Sequence, residues 1–93
     1  MKGIFENKLS DEGITLPDAP APAANYVPYV QVGNVLYVSG QISQNASGLI
    51  LGKLGDNMTT EQGAEAAKFC AISLLAQVKS ACDGDLDKLV RVI

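Results

Sequence analysis

Histidine and tryptophan are absent from this chain of 93 residues, and lysine and arginine do not cluster anywhere along it. Without histidine, Ser-His and Cys-His nucleophilic pairs and histidine-ligated metal centres are excluded. Ten acidic residues against seven basic ones give a net charge of -3, so no basic surface for a phosphate backbone is expected. Histidine-based catalysis and direct nucleic-acid binding are therefore the first functions to set aside.

Long apolar runs and secretion features are also missing. No window of about 18 apolar residues occurs, and the amino terminus, MKGIFENKLSDEG, lacks the apolar segment of a signal peptide. Cys70 and Cys82 fall in one predicted helix, where twelve residues span about 18 Å, too far for a disulfide. We therefore expect a cytoplasmic protein whose two thiols are unpaired and structural.

The composition indicates one small globular domain. Apolar residues make up 47% of the chain and charged residues 18%, which is the balance of a folded protein rather than a disordered tail. A domain of this length buries only about 60 to 65% of its unfolded surface. A partner subunit would therefore add substantially to its stability.

The first quarter of the chain is predicted to form a helix and an extended arm. Apolar residues at helical spacing, ended by Gly13, predict a helix within residues 1–14. Residues 15–25 hold three of the four prolines, which fix φ and favour extended conformations in the residues before them. We expect this arm to be ordered.

A β-hairpin is the strongest local signal. Within residues 26–58, the apolar runs YVPYVQV and VLYV flank Gly33-Asn34, two residues that tolerate the positive φ of hairpin turns. Pro28 has no N–H to donate, so the first strand lies at an edge or pairs only beyond this residue. The turn-rich SQNASG and a short strand, LILGKLG, with a possible bulge at Gly52, are expected to follow.

A long helix is predicted over residues 59–83, opened by a capping box at Thr59 and Gln62. Its apolar stripe is expected to pack against the sheet and comprises Ala64, Ala67, Ala71, Leu74, Val78 and Ala81. Residues 86–93 alternate and predict a further strand. Because a strand ending there would leave its ladder groups unpaired, we interpret the chain as an α+β domain that is incomplete on its carboxyl side.

No metal or phosphate site is predicted. Asp83, Asp85 and Asp87 alternate, but the bidentate glutamate of a calcium loop does not follow them, and we expect a solvated turn with capping roles. The segment GLILGKLG has neither the glycine spacing nor the Ser or Thr of a phosphate loop.

Polar residues at the end of the second hairpin strand are the best candidates for a binding site. In the stretch YVSGQIS, Ser39 and Gln41 leave the strand on one side, and Gly40 exposes bare backbone that a ligand can approach. The alternative is structural, with Ser39-Gly40 forming a bulge and Gln41 capping the strand. The spacing alone leaves both interpretations open.

The order of NYVPYV, LYVSGQ, GKLG, EQGAEAA and LVRVI resembles the Rid family, also called the YjgF or L-PSP family, in the branch with a Leu-Pro-x-Ala-Pro arm. The resemblance covers essentially the whole chain. It implies a chorismate-mutase-like α+β fold, a homotrimer with ligand clefts at its subunit interfaces, and no metal or organic cofactor. The implied activity is hydrolysis of 2-iminobutanoate or 2-iminopropanoate to a 2-keto acid and ammonia.

The resemblance also assigns residues to the substrate site. It implies that Tyr29 lines the cleft, that Ser39 and Gly40 contact a small carboxylate or imino-acid ligand, and that Gln41 belongs to the same motif. No catalytic residue is assigned.

The arginine that binds the substrate carboxylate in this family would lie beyond Ile93. Arg91 aligns with a strand entry of the family and is not given that role. A bidentate guanidinium is the group that best orients a small carboxylate while water attacks the C=N carbon. We therefore expect that a polypeptide ending at Ile93 is not a competent deaminase.

Two other functions remain open for a protein of this family. One is a trimeric protein that binds small carboxylates or other metabolites without turnover. The other is an activity of the endoribonuclease or translation-inhibitor type, which the acidic composition and the lack of histidine disfavour.

Overall fold

Two helices and four short strands form an α+β arrangement. The computed structural model describes residues 3–19, 27–45 and 47–93, so the predicted arm over residues 15–25 lies in part outside it. The elements follow in the order α1 (Ile4–Asp11), β1 (Tyr29–Val32), β2 (Val35–Val38), β3 (Gln44–Asn45), β4 (Gly48–Leu49), α2 (Thr60–Ala81) and a 3-10 helix (Leu86–Lys88).

The predicted hairpin is confirmed. Strands β1 and β2 are antiparallel, with Tyr29 opposite Val38 and Val32 opposite Val35. The two-residue turn between them uses Gly33 at a φ of 59°, a conformation that glycine adopts without steric cost. The strand begins directly after Pro28, as expected from the missing N–H of proline.

The capping box at the start of α2 is also confirmed. The backbone N–H of Gln62 donates to Thr59 Oγ1 at 3.2 Å, and the backbone N–H of Thr59 donates to Gln62 Oε1 at 2.8 Å. These two bonds satisfy donors that a helix start otherwise leaves unpaired. The helix then runs for 22 residues and packs across β1, β2 and β3.

The face that α2 turns to the sheet differs from the prediction. Its buried residues are Ser73, Ala76 and Gln77. The predicted stripe lies on another face, where Leu74 is 40% exposed and Ala64, Ala67 and Ala71 are exposed. Small and apolar residues occur nearly all round this helix, so periodicity alone selected the wrong side.

Two predicted strands are shorter than expected or missing. In the segment LILGKLG, only Leu49 belongs to a strand, where it pairs with Gln44. Gly52 lies outside any strand, against the side chain of Met58, so it does not form the predicted bulge. Residues 86–93 are not a strand, because Leu86–Lys88 form a 3-10 helix and no described strand lies alongside residues 89–93. Alternating side chains alone do not supply ladder partners.

Helix α1 is held against the 3-10 helix by backbone donors. Ile4 N and Phe5 N donate to the two carboxylate oxygens of Asp87 at 2.8 and 3.0 Å. Leu86, only 2% exposed, is buried at this contact, and its N–H donates to Glu6 Oε1 at 2.8 Å. The α1 helix therefore receives its amino-terminal cap from the far end of the sequence.

Candidate functional site

The candidate site is built at the open end of the first hairpin. Ser39 follows β2, and its N–H donates to the Pro28 carbonyl at 3.0 Å. The Ser39 hydroxyl has both the Val27 and the Pro28 carbonyl within 2.9 Å. A hydroxyl has one proton, so it serves one of these carbonyls at a time and keeps its own lone pairs available. Ser39 is therefore set up to accept a hydrogen bond.

Side chains of helix α2 form hydrogen bonds with two of the other predicted site residues, Tyr29 and Gln41. Tyr29 Oη lies 3.2 Å from Ser80 Oγ. Gln77 Nε2 donates to Gln41 Oε1 at 3.4 Å, and Gln41 Nε2 donates to the Ser39 carbonyl at 3.2 Å. The side chains of Tyr29 and Gln41 are thus oriented by two residues three positions apart on one face of the helix.

Gly40 provides open space between these polar groups. It is exposed, and a Cβ built on it would meet no atom within 4 Å. Ser39 and Gln41, its neighbours, are half-buried. A ligand could therefore approach the backbone at Gly40 while Ser39 offers an acceptor beside it.

The contacts of Gln41 support part of the structural alternative. Its amide donates back to the carbonyl two residues earlier, as a capping side chain does. The Ser39 hydroxyl likewise ties the hairpin end together. These structural roles use the Ser39 hydroxyl proton and one of the two N–H donors of the Gln41 amide, and they leave the acceptor lone pairs of Ser39 and the space at Gly40 for a ligand.

Gln77 and Ser80 were missed in the sequence. Gln77 is only 1% exposed. Its buried side-chain amide is hydrogen-bonded to Gln41, as buried polar groups in folded proteins generally are. The available signal was a pair of polar residues, three positions apart, within a helix of mostly apolar character. Arg91 is exposed, as expected.

One group of carboxylates in the described part of the chain could hold a metal ion. Glu6, Asp85 and Asp87 each place an oxygen within 4.8 Å of the others, where α1 contacts the 3-10 helix. The sequence alone predicted no metal site, because the glutamate that joins the two aspartates comes from the other end of the sequence. Cys70 and Cys82 are free, as predicted, and both are half-buried.

Comparison with known proteins places this fold in a family. Residues 6–93 match the family described as "YjgF/chorismate_mutase-like, putative endoribonuclease". The chain therefore belongs to the YjgF/chorismate-mutase-like family, and its α+β fold is of the chorismate-mutase-like type.

Three relatives show how much of that fold these residues represent. The chain is 46% identical over 92 residues to Protein TCP17 of Trypanosoma cruzi, covering 98% of this chain and 57% of that protein. It is similar to the crystal structure of Atu1372 from Agrobacterium tumefaciens, a protein of unknown function, with a TM-score of 0.81 and 43% identity over 97% of this chain and 55% of the other.

A second solved structure is that of "a putative endoribonuclease from shewanella oneidensis mr-1", with a TM-score of 0.80 and 36% identity. Here 88% of this chain covers 54% of the other. The chain thus spans little more than half the length of the relatives it matches. None of the helices in the described segments is long and apolar enough to cross a membrane.

Proposed function

We propose that the protein represented by this chain hydrolyses 2-imino acids to 2-keto acids and ammonia. The observation that supports this activity is the group at the hairpin end, where Ser39 offers an acceptor beside the open space at Gly40 and Tyr29 lies across the hairpin. An open surface of this kind suits a small planar imine, because the exposed backbone permits close approach and the hydroxyls orient water.

The carboxylate of the substrate needs a cationic anchor. Arg91 is the single arginine in the sequence, and we do not assign it this role because, by the family resemblance, it corresponds to a strand entry. We propose that the anchor comes from the half of the family fold that these residues do not cover. We further propose that the protein assembles as a homotrimer with the site at its subunit interfaces. We also propose that it is located in the cytoplasm.

Hydrolysis of freshly generated 2-iminobutanoate tests this proposal. The full-length protein is expected to accelerate loss of the imine over buffer, whereas residues 1–93 alone are expected not to do so. Replacing Gly40→Val fills the open space and is expected to lower kcat/KM by about tenfold or more. Ser47→Ala, an exposed serine in the turn between β3 and β4, is the matched control and is expected to retain full activity.

No acceleration by the full-length protein would remove the deaminase proposal. A non-catalytic binding protein for small carboxylates is then the second candidate, favoured by the engagement of the Ser39 proton with backbone carbonyls. Saturable binding of 2-oxobutanoate without accelerated imine hydrolysis would select it.

An endoribonuclease activity is the third candidate, because the family description and the Shewanella oneidensis structure carry that name. The net charge of -3 and the lack of histidine oppose it. RNA cleavage that co-purifies with the protein and is lost in Tyr29→Phe would favour this function over the other two.

A further inference from the structure

We propose that Glu6, Asp85 and Asp87 form a binding site for a divalent cation, Ca²⁺, between α1 and the 3-10 helix. The three residues contribute oxygens that lie within 4.8 Å of one another. They come from two segments that are about 80 residues apart in the chain, and the fold brings them together. This site is separate in its residues from the hairpin site.

The buried oxygen of Glu6 is the observation that points to a ligand. Glu6 is only 9% exposed, and its Oε1 accepts the Leu86 N–H. Its Oε2 is buried and has no hydrogen-bond partner among the described residues. A buried carboxylate oxygen without a donor is costly, and a bound cation removes that cost.

The glycine before α1 keeps space open at this oxygen. A Cβ built on Gly3 would clash with Asp87 Oδ2 and would lie 3.0 Å from Glu6 Oε2. Both oxygens therefore border the same small volume. The Glu6 oxygen is directed into the group of carboxylates and not away from it.

The remaining hydrogen bonds orient the carboxylates of the proposed site and still leave lone pairs on their oxygens for a cation. Asp87 accepts the α1 donors Ile4 N and Phe5 N, and Asp85 Oδ1 accepts the Asp87 N–H at 3.0 Å. Each carboxylate oxygen has two lone pairs, so every one of these oxygens can still bind a cation.

No described lysine neutralises the group. The ion pairs of the described segments join Lys8 to Glu12 and Lys88 to Asp83, at 3.3 and 3.6 Å. Three carboxylates this close repel one another, and a divalent cation between them reverses the sign of that interaction.

The three carboxylates favour calcium over magnesium, because Mg²⁺ demands near-ideal octahedral geometry and is usually bound through only one or two carboxylates. Two oxygens on one Ca²⁺ are separated by at most about 4.6 to 5.2 Å, which is twice the metal–oxygen distance. Oxygens that lie within 4.8 Å of one another can therefore share one Ca²⁺. Asp85 and Asp87 are exposed, so water can complete the six to eight oxygens that calcium takes.

Calorimetric titration of the chelator-treated protein with CaCl₂ tests the site. One ion per chain is expected, and Glu6→Gln and Asp85→Asn are each expected to weaken binding by about tenfold or more. Both substitutions keep an accepting oxygen for Leu86 N or Asp87 N, and they remove the charge and one of the two carboxylate oxygens. Asp83→Asn, which removes an exposed carboxylate from the same turn, is the control and is expected to bind as the original protein does.

Amide NMR shifts provide a readout that does not depend on any variant. Calcium is expected to move the resonances of Ile4, Phe5 and Leu86, whose N–H groups donate to the ligand carboxylates. Absence of saturation by about 10 mM Ca²⁺ would overturn the proposal. So would unchanged affinity in folded Glu6→Gln, or calcium shifts that leave these three amides untouched. Tighter binding of MgCl₂ than of CaCl₂ would overturn the assignment to calcium.

Discussion

Gly3 and Gly40 both lack a side chain, but their surroundings in the fold differ. Gly3 precedes α1 in ordinary extended backbone, so its value is the absence of a side chain beside Asp87. A Cβ at Gly40 would meet nothing within 4 Å. The first glycine accommodates the carboxylate that caps α1, and the second leaves open space beside Ser39 and Gln41.

Gly3→Ala is expected to destabilise the fold by about 1 to 3 kcal/mol, because the new methyl group displaces the carboxylate that caps α1. Urea unfolding measures the change. Gly40→Ala is the matched control, with an expected change within about 0.5 kcal/mol. Equal stability of the two variants would show that the Asp87 carboxylate moves aside without cost.

For single residues, the sequence predicted the location of the site residues better than it predicted their hydrogen-bond partners. Alternation along β2 placed Ser39 and Gln41 at a strand end, and the family resemblance added Tyr29. The bonds of these side chains depend on Gln77 and Ser80, which approach only when α2 packs on the hairpin. Glu6 was missed for a similar reason, since its partners are near the other end of the sequence.

Among the elements, those that are defined by neighbouring residues were predicted correctly. The Gly33-Asn34 hairpin and the capping box of α2 need only local backbone geometry and short-range bonds. The buried face of α2 and the strand over residues 86–93 were wrong because both depend on which surface lies alongside. Periodicity describes one element and contains no information on its neighbour.

The capping box gives a direct test at this scale. Thr59→Ala removes the acceptor of the Gln62 N–H and is expected to cost about 1 kcal/mol of folding stability. Thermal unfolding, monitored by circular dichroism at the helix band, measures this loss of stability. Thr60→Ala changes the adjacent exposed threonine, already inside the helix, and is expected to have little effect. A similar loss in both variants would contradict the capping role.

For the whole molecule, the outer face of the hairpin is the feature with the largest consequence. Leu36 and Val38 are half-buried on the side of α2. The opposite face is apolar and exposed, and it consists of Val30, Val32, Val35 and Tyr37. Apolar surfaces of this kind in a folded domain are usually covered by another chain.

We therefore expect the protein to self-associate through this face, with three chains in the assembly if the proposed trimer is correct. Val32→Lys is expected to lower the mass measured by sedimentation equilibrium, because it places a charge in the apolar face. Val92→Lys alters a valine that is even more exposed and lies outside the two hairpin strands, and it is the control. A stable, concentrated monomer of the unmodified protein would contradict this expectation.

The bond from Ile4 to Asp87 also has a consequence for synthesis on the ribosome. The two residues are 83 positions apart, so the amino-terminal cap of α1 is missing until nearly all of these residues have been made. At about 5 to 20 residues per second, this interval lasts roughly 4 to 17 seconds. During that time the first helix emerges with its leading N–H groups bonded to water and its apolar side exposed. We therefore expect this helix to be open to chaperone binding until Asp87 has been made.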